Sequence, residues 1–378
     1  MSRRKIIVGA LLLVIVTFFA TSAGFLYLIN AWSADAAGAL RVIKALQIVK
    51  SRYVEEVSSD TLMAGAIKGM VKSLNDPHSI YMDAKTFKEF MIETEGSFGG
   101  VGIVIGMKDK LLTVIAPIEG TPGEKAGIKS GDQIIKIDGQ DTKDMALDEA
   151  VNKIRGQEGS KIVLTLMRGQ EVQDYTLTRS NIQIKTVAGK MLENNIGYIR
   201  LSMFNENTGN EFIRKLQELE KQGMKALVLD LRDNPGGLLN ESVKVASQFV
   251  PKGPVVSVVT RDGQRETHTS NLETTKYPVV ILVNGGSASA SEIVAGAAQD
   301  TGAGTLVGTK TYGKGSVQTV VRLDEGSAIK LTIAKYLTPK DRSINGVGIE
   351  PDIVVELPES KDKDVQLDKA LEVLKSKM

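Results

Sequence analysis

The 378-residue chain contains no cysteine, which excludes disulfides, thiolate zinc sites, cysteine nucleophiles and a lipidated N-terminal cysteine. It has only two histidines, His78 and His268, so a histidine-rich metal site cannot form and a Ser-His-Asp mechanism would need one of these two. The chain also has no large excess of positive or negative charge, because its 47 Lys and Arg residues are nearly balanced by 45 Asp and Glu residues. Nucleic acid is therefore not an expected partner.

The N-terminus carries a basic cluster, Arg3-Arg4-Lys5, followed by an uncharged apolar run from Ile6 to Asn30. This run reaches the ~20 residues that cross a bilayer and exceeds the ~7–15 apolar residues of a cleaved signal peptide. Because basic residues favour the cytoplasmic side, residues 1–30 predict a single membrane anchor with the body of the protein outside the cytoplasm. The alternative is a signal peptide cleaved near Ala34-Asp35-Ala36, after which the body is secreted. Both interpretations predict an exported body.

The rest of the chain predicts a multidomain protein of mixed α+β and α/β class. Apolar residues at three- and four-residue steps predict short helices within residues 31–95. Short strands alternate with glycine turns over residues 96–182, with one helix from Leu147 to Arg155. Alternating strands and helices over residues 183–360 predict a mostly parallel sheet covered by helices, followed by a β-rich part. Residues 361–378 predict a C-terminal helix.

A glycine-rich turn, Gly99-Gly100-Val101-Gly102-Ile103, precedes the first predicted strand of residues 96–182. Glycines there let backbone N–H groups turn toward an anion, so the turn can hold the terminal carboxylate of a peptide that adds to the strand. From the residues alone, an ordinary glycine-rich β-turn is the competing interpretation.

This region resembles a PDZ domain, most of all in Ala126–Ile134 followed by Asp138-Gly139. The resemblance implies a carboxylate loop and, beside it, a groove for a peptide tail. The loop residues would be Val101, Gly102 and Ile103, and those facing the groove would be Leu147, Val151 and Ile154. The helical spacing of the last three also fits an ordinary core.

Three serines, Ser287, Ser289 and Ser291, lie between a continuous apolar strand and a predicted helix. At such a turn the N–H groups of the helix favour a developing negative charge, which suits a nucleophilic hydroxyl. A serine that caps the helix is the other interpretation, and spacing alone does not choose among the three. A nucleophilic serine also needs a base, yet His268 falls in a polar segment, Arg265–Asn271, that predicts an exposed loop.

A lysine can take the place of histidine as the base if burial lowers its pKa from ~10.4 toward the working pH. Lys314 stands between two glycines, which let the backbone approach closely, and a strand of period two follows it. In an extended segment Gln318 would share a face with Lys314, and its amide can accept a hydrogen bond from the amine. A surface lysine in a glycine turn is the alternative.

The chain resembles the carboxy-terminal processing proteases, a family of serine peptidases that carry a PDZ domain. The resemblance covers nearly all of residues 40–375 and is carried by Leu231–Leu238, Gly286–Glu292, Tyr312–Gln318 and, upstream, Asp76–Ser79. It implies a nucleophile, a base, a residue that orients the base, and an oxyanion hole made of backbone N–H groups. These would be, in turn, Ser289, Lys314, Gln318, and Ala290 with Gly236 or Gly237.

The resemblance further implies an endopeptidase that cuts exported polypeptides near their free C-terminal tails, with no metal and no cofactor. The PDZ domain would capture the tail, and Arg155 is a candidate for relaying its occupancy, although it also fits a surface charge. Glu292 and Asp300 correspond to carboxylates near the site in relatives or are simply charges at helix ends.

Partners and rival functions are expected as follows. Two apolar surfaces predict either a homodimer interface or docking on the core of the same chain. They are the N-terminal helices and the C-terminal face formed by Leu367, Leu371 and Leu374. One rival function is an anchored PDZ scaffold that binds tails without cleavage. A second, an enzyme like signal peptidase with a Ser/Lys pair, has no reason to carry the PDZ module.

Overall fold

A computed structural model describes residues 15–19, 21–22, 38–356 and 363–378. Residues 15–19 and 21–22 are helical. Among all described residues, the structure contains no helix with both the length and the apolar character required to span a bilayer. Most of the predicted anchor and the alternative cleavage site lie outside the described residues. The chain divides into two compact units, Met1–Asp83 and Ala84–Met378.

The first unit is mainly helical in its described part. It contains α1 (residues 38–52), α2 (Ser59–Lys72) and a short strand, β1 (Ile80–Met82). Helix α2 begins where it does because the Ser58 hydroxyl accepts a hydrogen bond from the Thr61 N–H at 3.1 Å, which caps one of the free donors of the first turn.

The second unit opens with helix α3 (Ala84–Glu95) and a strand pair, and a six-stranded antiparallel sheet follows. Strand β2 (Ser97–Gly100) pairs with β9 (Ser180–Gln183) and thereby closes the ends of residues 96–182 onto each other. The sheet order is β3-β4-β5-β7-β8, with β6 beside β5, which leaves β3 at an edge. The elements are β3 (Ile103–Lys108), β4 (Leu111–Pro117), α4 (Pro122–Lys125), β5 (Gln133–Ile137), β6 (Gln140–Asp141), α5 (Leu147–Ile154), β7 (Lys161–Arg168) and β8 (Glu171–Thr178).

A second six-stranded sheet forms the centre of the unit. Its order is β10-β11-β12-β15-β16-β19, parallel except for the antiparallel edge strand β10. Every residue of β12 and β15 is buried, which explains their continuous apolar runs, because helices cover both faces of a parallel sheet. The strands are β10 (Val187–Met191), β11 (Ile196–Leu201), β12 (Ala226–Asp230), β15 (Val279–Val283), β16 (Thr305–Gly308) and β19 (Ile353–Val354).

Four helices accompany this sheet: α6 (Thr208–Lys221), α7 (Leu239–Ala246), α8 (Ala290–Thr301) and α9 (Val365–Lys375). Helix α9 packs on β12, β15 and β16, where Leu374 is fully buried and Leu367 and Leu371 adjoin the same apolar cluster. Of the two alternatives that the sequence leaves open for the apolar C-terminal face, the structure therefore favours docking on its own core over a dimer interface.

A third sheet contains β13 (Gly253–Thr260), β14 (Arg265–Ser270), β17 (Ser316–Arg322) and β18 (Ala328–Leu337). Strand β18 pairs with both β13 and β17. The prediction of a loop over Arg265–Asn271 is wrong, because His268 lies in β14 opposite Val256. Among the described strands β14 pairs only with β13, and an edge strand tolerates the polar residues that made this segment look like a loop.

Helix α8 is almost entirely buried, which its small side chains allow. It packs against α7, β13 and β16, so it lies in the centre of the largest apolar cluster. Its N-terminus is thereby held between the parallel sheet and the third sheet. The catalytic candidates lie at this end.

Candidate active site

Ser289 immediately precedes α8 and has an unusual backbone conformation. Its φ is 53° and its ψ is −111°, a combination that side-chain-bearing residues rarely adopt and that costs on the order of 1–3 kcal/mol. Such strain persists only where surrounding contacts enforce it, and it is common at functional sites. The side chain is half-buried and lines a cavity.

The two neighbouring serines are occupied by structural hydrogen bonds. The Ser287 hydroxyl donates to the carbonyl of Leu231 at 2.8 Å, and that of Ser291 donates to the carbonyl of Asn234 at 2.9 Å. Both serines are fully buried. The structure thus separates three serines that spacing alone left equivalent, and only Ser289 among them lines the cavity.

The Glu292 carboxylate, which is fully buried, joins the serine segment to the lysine segment. One oxygen, Oε2, accepts the N–H of Ser289 at 2.8 Å and the N–H of Lys314 at 2.9 Å. The other, Oε1, accepts the N–H of Gly313 at 2.8 Å and the hydroxyl of Thr311 at 2.6 Å. Four donors compensate the burial of this charge, so Glu292 is more than a helix-end charge.

Tyr336, on β18, reinforces the same junction. Its hydroxyl contacts the Lys314 carbonyl at 2.6 Å and the Ser289 carbonyl at 3.0 Å. Burial, together with the nearby Glu292 carboxylate, raises the pKa of Tyr336 well above its usual value of 10.0. The hydroxyl therefore stays protonated at ordinary pH and continues to donate to these backbone oxygens.

Lys314 is half-buried and lines the same cavity as Ser289. The residues on either side of Lys314 are glycines because the backbone there packs closely against a neighbouring segment. Gly313 has a φ of 93°, and a Cβ there would lie 2.9 Å from the Gly348 nitrogen. The Gly315 N–H donates to the Asn345 side chain at 3.2 Å. The segment that carries Lys314 is thus packed into the body of the unit and is not a free surface turn.

Gln318 lies on β17 and also faces the cavity. Its amide nitrogen donates to the Ser316 hydroxyl at 2.8 Å and to the Thr332 hydroxyl at 3.1 Å, which fixes the orientation of the amide. The pairing register shifts between Val317 and Gln318, so a strict two-residue alternation does not connect Lys314 with Gln318. The expectation that Gln318 orients the lysine remains a prediction.

The turn that follows β12 lies against Ser289. A Cβ on Gly236 would stand 2.9 Å from the Ala290 nitrogen and 2.9 Å from the Ser289 Cβ, so only glycine fits. The Asn234 side chain organises the turn, since it donates to the Leu201 carbonyl at 2.9 Å and accepts the Gly236 N–H at 2.9 Å. The Gly236 N–H is therefore already bonded inside the turn.

Gly237 differs from Gly236 because it forms a parallel bridge with Phe204. That bridge uses the Gly236 carbonyl and the Leu238 N–H, each at 2.8 Å from the backbone of Phe204. In a parallel ladder the intervening residue directs its own N–H to the opposite side. Gly237 also lines the cavity of Ser289, which makes it the better-placed of the two glycines to donate there.

The cavity has a volume of about 760 Å³. Its apolar wall includes Met203, Leu239 and Ile293, and its charged lining includes Lys330 and Glu93 in addition to Lys314. None of the described residues that line it is a histidine. Over residues 38–356 and 363–378, likewise, no three His, Asp or Glu side chains are grouped so that they could hold a metal ion.

The predicted tail-binding groove has a free strand edge. In the described sheet, β3 pairs only with β4. The turn before β3 is held by its carbonyls, since Val101 O accepts the Gly123 N–H at 2.7 Å and Gly102 O accepts the Ile118 N–H at 2.8 Å. Gly102 has a φ of 71°, which favours glycine.

Helix α5 presents two different faces. Leu147 is 36% exposed and Val151 is half-buried, whereas Ile154 is 6% exposed and belongs to the core cluster of this module. Of the three residues expected to face the groove, Ile154 thus also packs in the core. Arg155 follows the helix and lies over the Phe98 ring at 4.4 Å, and it is not among the described residues that line the cavity of Ser289.

Comparison with known proteins identifies the family and the domains of this chain. The profile of peptidase family S41 matches residues 195–355, the PDZ domain profile matches residues 89–167, and the profile of the activating protease CtpB N-terminal domain matches residues 29–86. The carboxy-terminal processing protease CtpA of Bacillus subtilis (strain 168) is 42% identical over 320 residues, which cover 84% of this chain and 68% of that protein. The chain belongs to the carboxy-terminal processing protease family.

Other members of this family are similarly close. The carboxy-terminal-processing protease of Bartonella bacilliformis is 43% identical over 322 residues, covering 82% of this chain and 73% of the relative. A photosystem II D1 C-terminal processing protease of known structure is 31% identical, with a TM-score of 0.50, and the match covers 89% of this chain and 96% of that one. The chain is thus a serine peptidase of family S41 that carries a PDZ domain.

Two residues of the site were missed by sequence reasoning. Tyr336 is one of several residues in a β-rich segment, and nothing in its spacing shows that it reaches two catalytic backbone segments. Asn234 is the other, and its side chain fixes the orientation of the turn that it begins. The Asn-Pro-Gly-Gly sequence was a usable signal for Asn234, since asparagine side chains often bond the backbone two residues on.

Proposed function

We propose that this carboxy-terminal processing protease uses a Ser289-Lys314 dyad to cleave exported polypeptides near their C-termini. The observation that carries the proposal is the junction at Glu292, whose Oε2 accepts the backbone N–H of both residues. Because both residues also line one cavity, their side chains have a common space in which a substrate carbonyl can sit. The strained backbone of Ser289 adds support.

In this mechanism the neutral Lys314 amine takes the proton of the Ser289 hydroxyl as the oxygen attacks the scissile carbonyl. The resulting ammonium then protonates the leaving amine, the carbon–nitrogen bond breaks, and an acyl-enzyme forms. Water then attacks the acyl carbon and gives a proton to the lysine, the ester bond to Ser289 breaks, and the lysine returns that proton to the serine oxygen. Gln318 would orient the amine through its amide oxygen, because its amide nitrogen is already committed to two hydroxyls.

The developing oxyanion would be stabilised by backbone N–H groups. Ala290 is the first residue of α8, where an N–H has no acceptor within its own helix. Gly237 provides the second N–H, since its bridge with Phe204 turns that group away from the bridge. Gly236 contributes by its small size, because its own N–H is bonded to Asn234.

Tail recognition is assigned to the PDZ domain. An extended peptide can add to the free edge of β3, with its carboxylate at Val101, Gly102 and Ile103 and its side chains against Leu147 and Val151. Arg155 would report occupancy from the end of α5. A free-tail peptide should therefore bind better than its C-terminal amide, and Arg155→Gln should weaken tail-dependent activation without abolishing binding.

The proposal for location and assembly is supported by the sequence and by the first unit. The apolar run Ile6–Asn30 supports a membrane anchor with the body exported, or secretion after cleavage. In the first unit, large apolar side chains are exposed, among them Leu40 at 66% and Met70 at 66%, which supports a homodimer through the N-terminal helices. Light scattering of the protein in detergent measures the oligomeric state.

The deciding experiment compares the intact protein with Ser289→Ala on an unstructured peptide. Mass spectrometry should find cleavage near the C-terminus by the wild type and none by the variant, while both bind the peptide tail. EDTA should leave the wild-type rate unchanged. If neither protein cleaves but both bind, the scaffold function is favoured instead. If Ser289→Ala cleaves as fast as the wild type, the dyad is wrong.

A further inference from the structure

The active-site cavity contains a second lysine, Lys330, which the proposed mechanism does not use. Lys330 lies on β18, directly opposite Val320 of β17, while Thr332 stands opposite Gln318. Lys330, Val320 and Gln318 all line the cavity that holds Ser289. The two strands therefore form a floor along which Lys330 lies beyond the catalytic pair.

The surroundings of Lys330 compensate its charge only in part. Its ammonium lies 5.4 Å from the centre of the Phe90 ring, a cation–π contact. Glu93 is the acidic neighbour, yet no carboxylate of the described residues comes within 4.0 Å of the amine. The side chain is half-buried. A cation in such a place is stabilised by an incoming carboxylate, because part of its hydration has already been removed.

The strand register gives the distance of Lys330 from the start of β17, the end of the strand that follows Lys314. Ser316 pairs with Lys335, and four residues further along β17 Val320 pairs with Lys330. A strand rises ~3.3 Å per residue, so Lys330 lies roughly 13 Å along the floor from Ser316, less the reach of its side chain. An extended substrate has the same rise, so a group bound at Lys330 is several residues along the floor from the end of β17 that follows Lys314.

We propose that Lys330 is a specificity-determining residue that binds a substrate carboxylate a few residues from the scissile bond. The inference rests on the proposed Ser289-Lys314 active site. The carboxylate has two possible sources with the same chemistry, an Asp or Glu side chain of the polypeptide or the terminal carboxylate of a short tail.

The test uses unstructured peptides with one cleavable bond. In one set, Glu or Gln occupies each position from two to five residues on either side of that bond. In the other set, short tails end in a free carboxylate or an amide. The full-length wild type is compared with Lys330→Gln, Lys330→Glu and Lys330→Arg by kcat/KM. Lys335→Gln is the matched control, since Lys335 is an exposed lysine of the same strand that does not line the cavity.

In the wild type, one carboxylate peptide should be cleaved about five- to tenfold faster than its neutral partner. The preference should disappear in Lys330→Gln, reverse in Lys330→Glu and persist in Lys330→Arg and Lys335→Gln. A response in the Glu set identifies an acidic side chain, and a response in the tail set identifies the terminal carboxylate. Thermal unfolding confirms that each variant is folded.

Equal preferences in the wild type and Lys330→Gln would overturn the inference. So would a uniform loss of rate on every peptide in folded Lys330→Gln, because that indicates a structural effect. Failure of the active-site proposal is a separate result, since it appears as undiminished cleavage by Ser289→Ala on the same peptides.

Discussion

Replacement of Glu292 tests whether its carboxylate sets the catalytic geometry. Glu292→Gln has nearly the same shape but only one acceptor oxygen, and Glu292→Met fills a similar volume with none. The most favourable amide orientation keeps the oxygen on the N–H groups of Ser289 and Lys314. The amide nitrogen then faces the Thr311 hydroxyl, which can turn to accept, and the Gly313 N–H, which cannot.

The size of the effect follows from these contacts. Loss of the Gly313 bond to a charged acceptor removes about 1.5–3 kcal/mol. The bonds that remain weaken by roughly half, because the acceptor becomes neutral. Relief of burying a charge offsets part of this loss. We expect Glu292→Gln to lower the free energy of unfolding by about 2–3 kcal/mol and, in a unit as large as Ala84–Met378, Tm by about 3–5 °C.

Activity should fall further than stability alone requires. A shift of about 1 Å in either catalytic segment can cost ~100-fold in rate. At a temperature well below the Tm of each variant, we expect kcat to fall about 10- to 100-fold in Glu292→Gln and more in Glu292→Met, with KM little changed. Steady-state cleavage of one unstructured peptide, with unfolding followed by circular dichroism, provides both readouts. Equal kcat in the wild type and both folded variants would refute the reasoning. An equal kcat in Glu292→Met and Glu292→Gln would refute it as well.

Three further perturbations address the base, the tyrosine and the C-terminal helix. Lys314→Arg keeps a cation that cannot deprotonate, so peptide cleavage should be absent at every pH. In the wild type the rate should rise with pH as the lysine loses its proton. A wild-type rate that does not change with pH would contradict the assignment of Lys314 as the base. Tyr336→Phe removes the hydroxyl that contacts the carbonyls of Lys314 and Ser289 and should lower kcat about tenfold at unchanged KM, while an unchanged kcat would show that the contact is dispensable. Hydrogen bonds from Arg232 hold the pKa of Asp364 below its usual 3.8, so Asp364 stabilises the fold above that pH and the stabilisation is lost as the pH falls through the lower, folded value. Asp364→Asn should therefore lower Tm at pH 7, with the difference from wild type closing below about pH 4, and a constant difference down to pH 2 would contradict the linkage.

The hydrophobic pattern of the sequence alone predicts the strands whose residues are completely buried. The runs that became β12 and β15 are apolar at every position because both of their faces are covered. The hydrophobic pattern does not predict the strand Arg265–Ser270, because a strand at the edge of a sheet can consist of polar residues. It also left the C-terminal leucines ambiguous, because an apolar helix face does not specify what it covers.

The candidate site shows the same division. Motif resemblance placed Ser289 and Lys314 together, but the choice of Ser289 over its neighbours has a physical reason only in three dimensions, where Ser287 and Ser291 donate to buried carbonyls. Whether Gly236 can donate its N–H to an oxyanion is likewise visible only in the three-dimensional structure. Its N–H is taken by Asn234, and a side chain bonding back to its own turn is not visible as hydrophobic periodicity.

The contacts at Glu292 and Tyr336 have a consequence for how the dyad can be dissected. Both side chains bind backbone atoms of Ser289 and Lys314, so the positions of the two segments do not depend on the hydroxyl and the amine of the proposed dyad. Removal of either reactive group should therefore leave the segments in place. For this reason, loss of turnover in Ser289→Ala or Lys314→Arg reports on chemistry, whereas loss in Glu292→Gln reports on geometry.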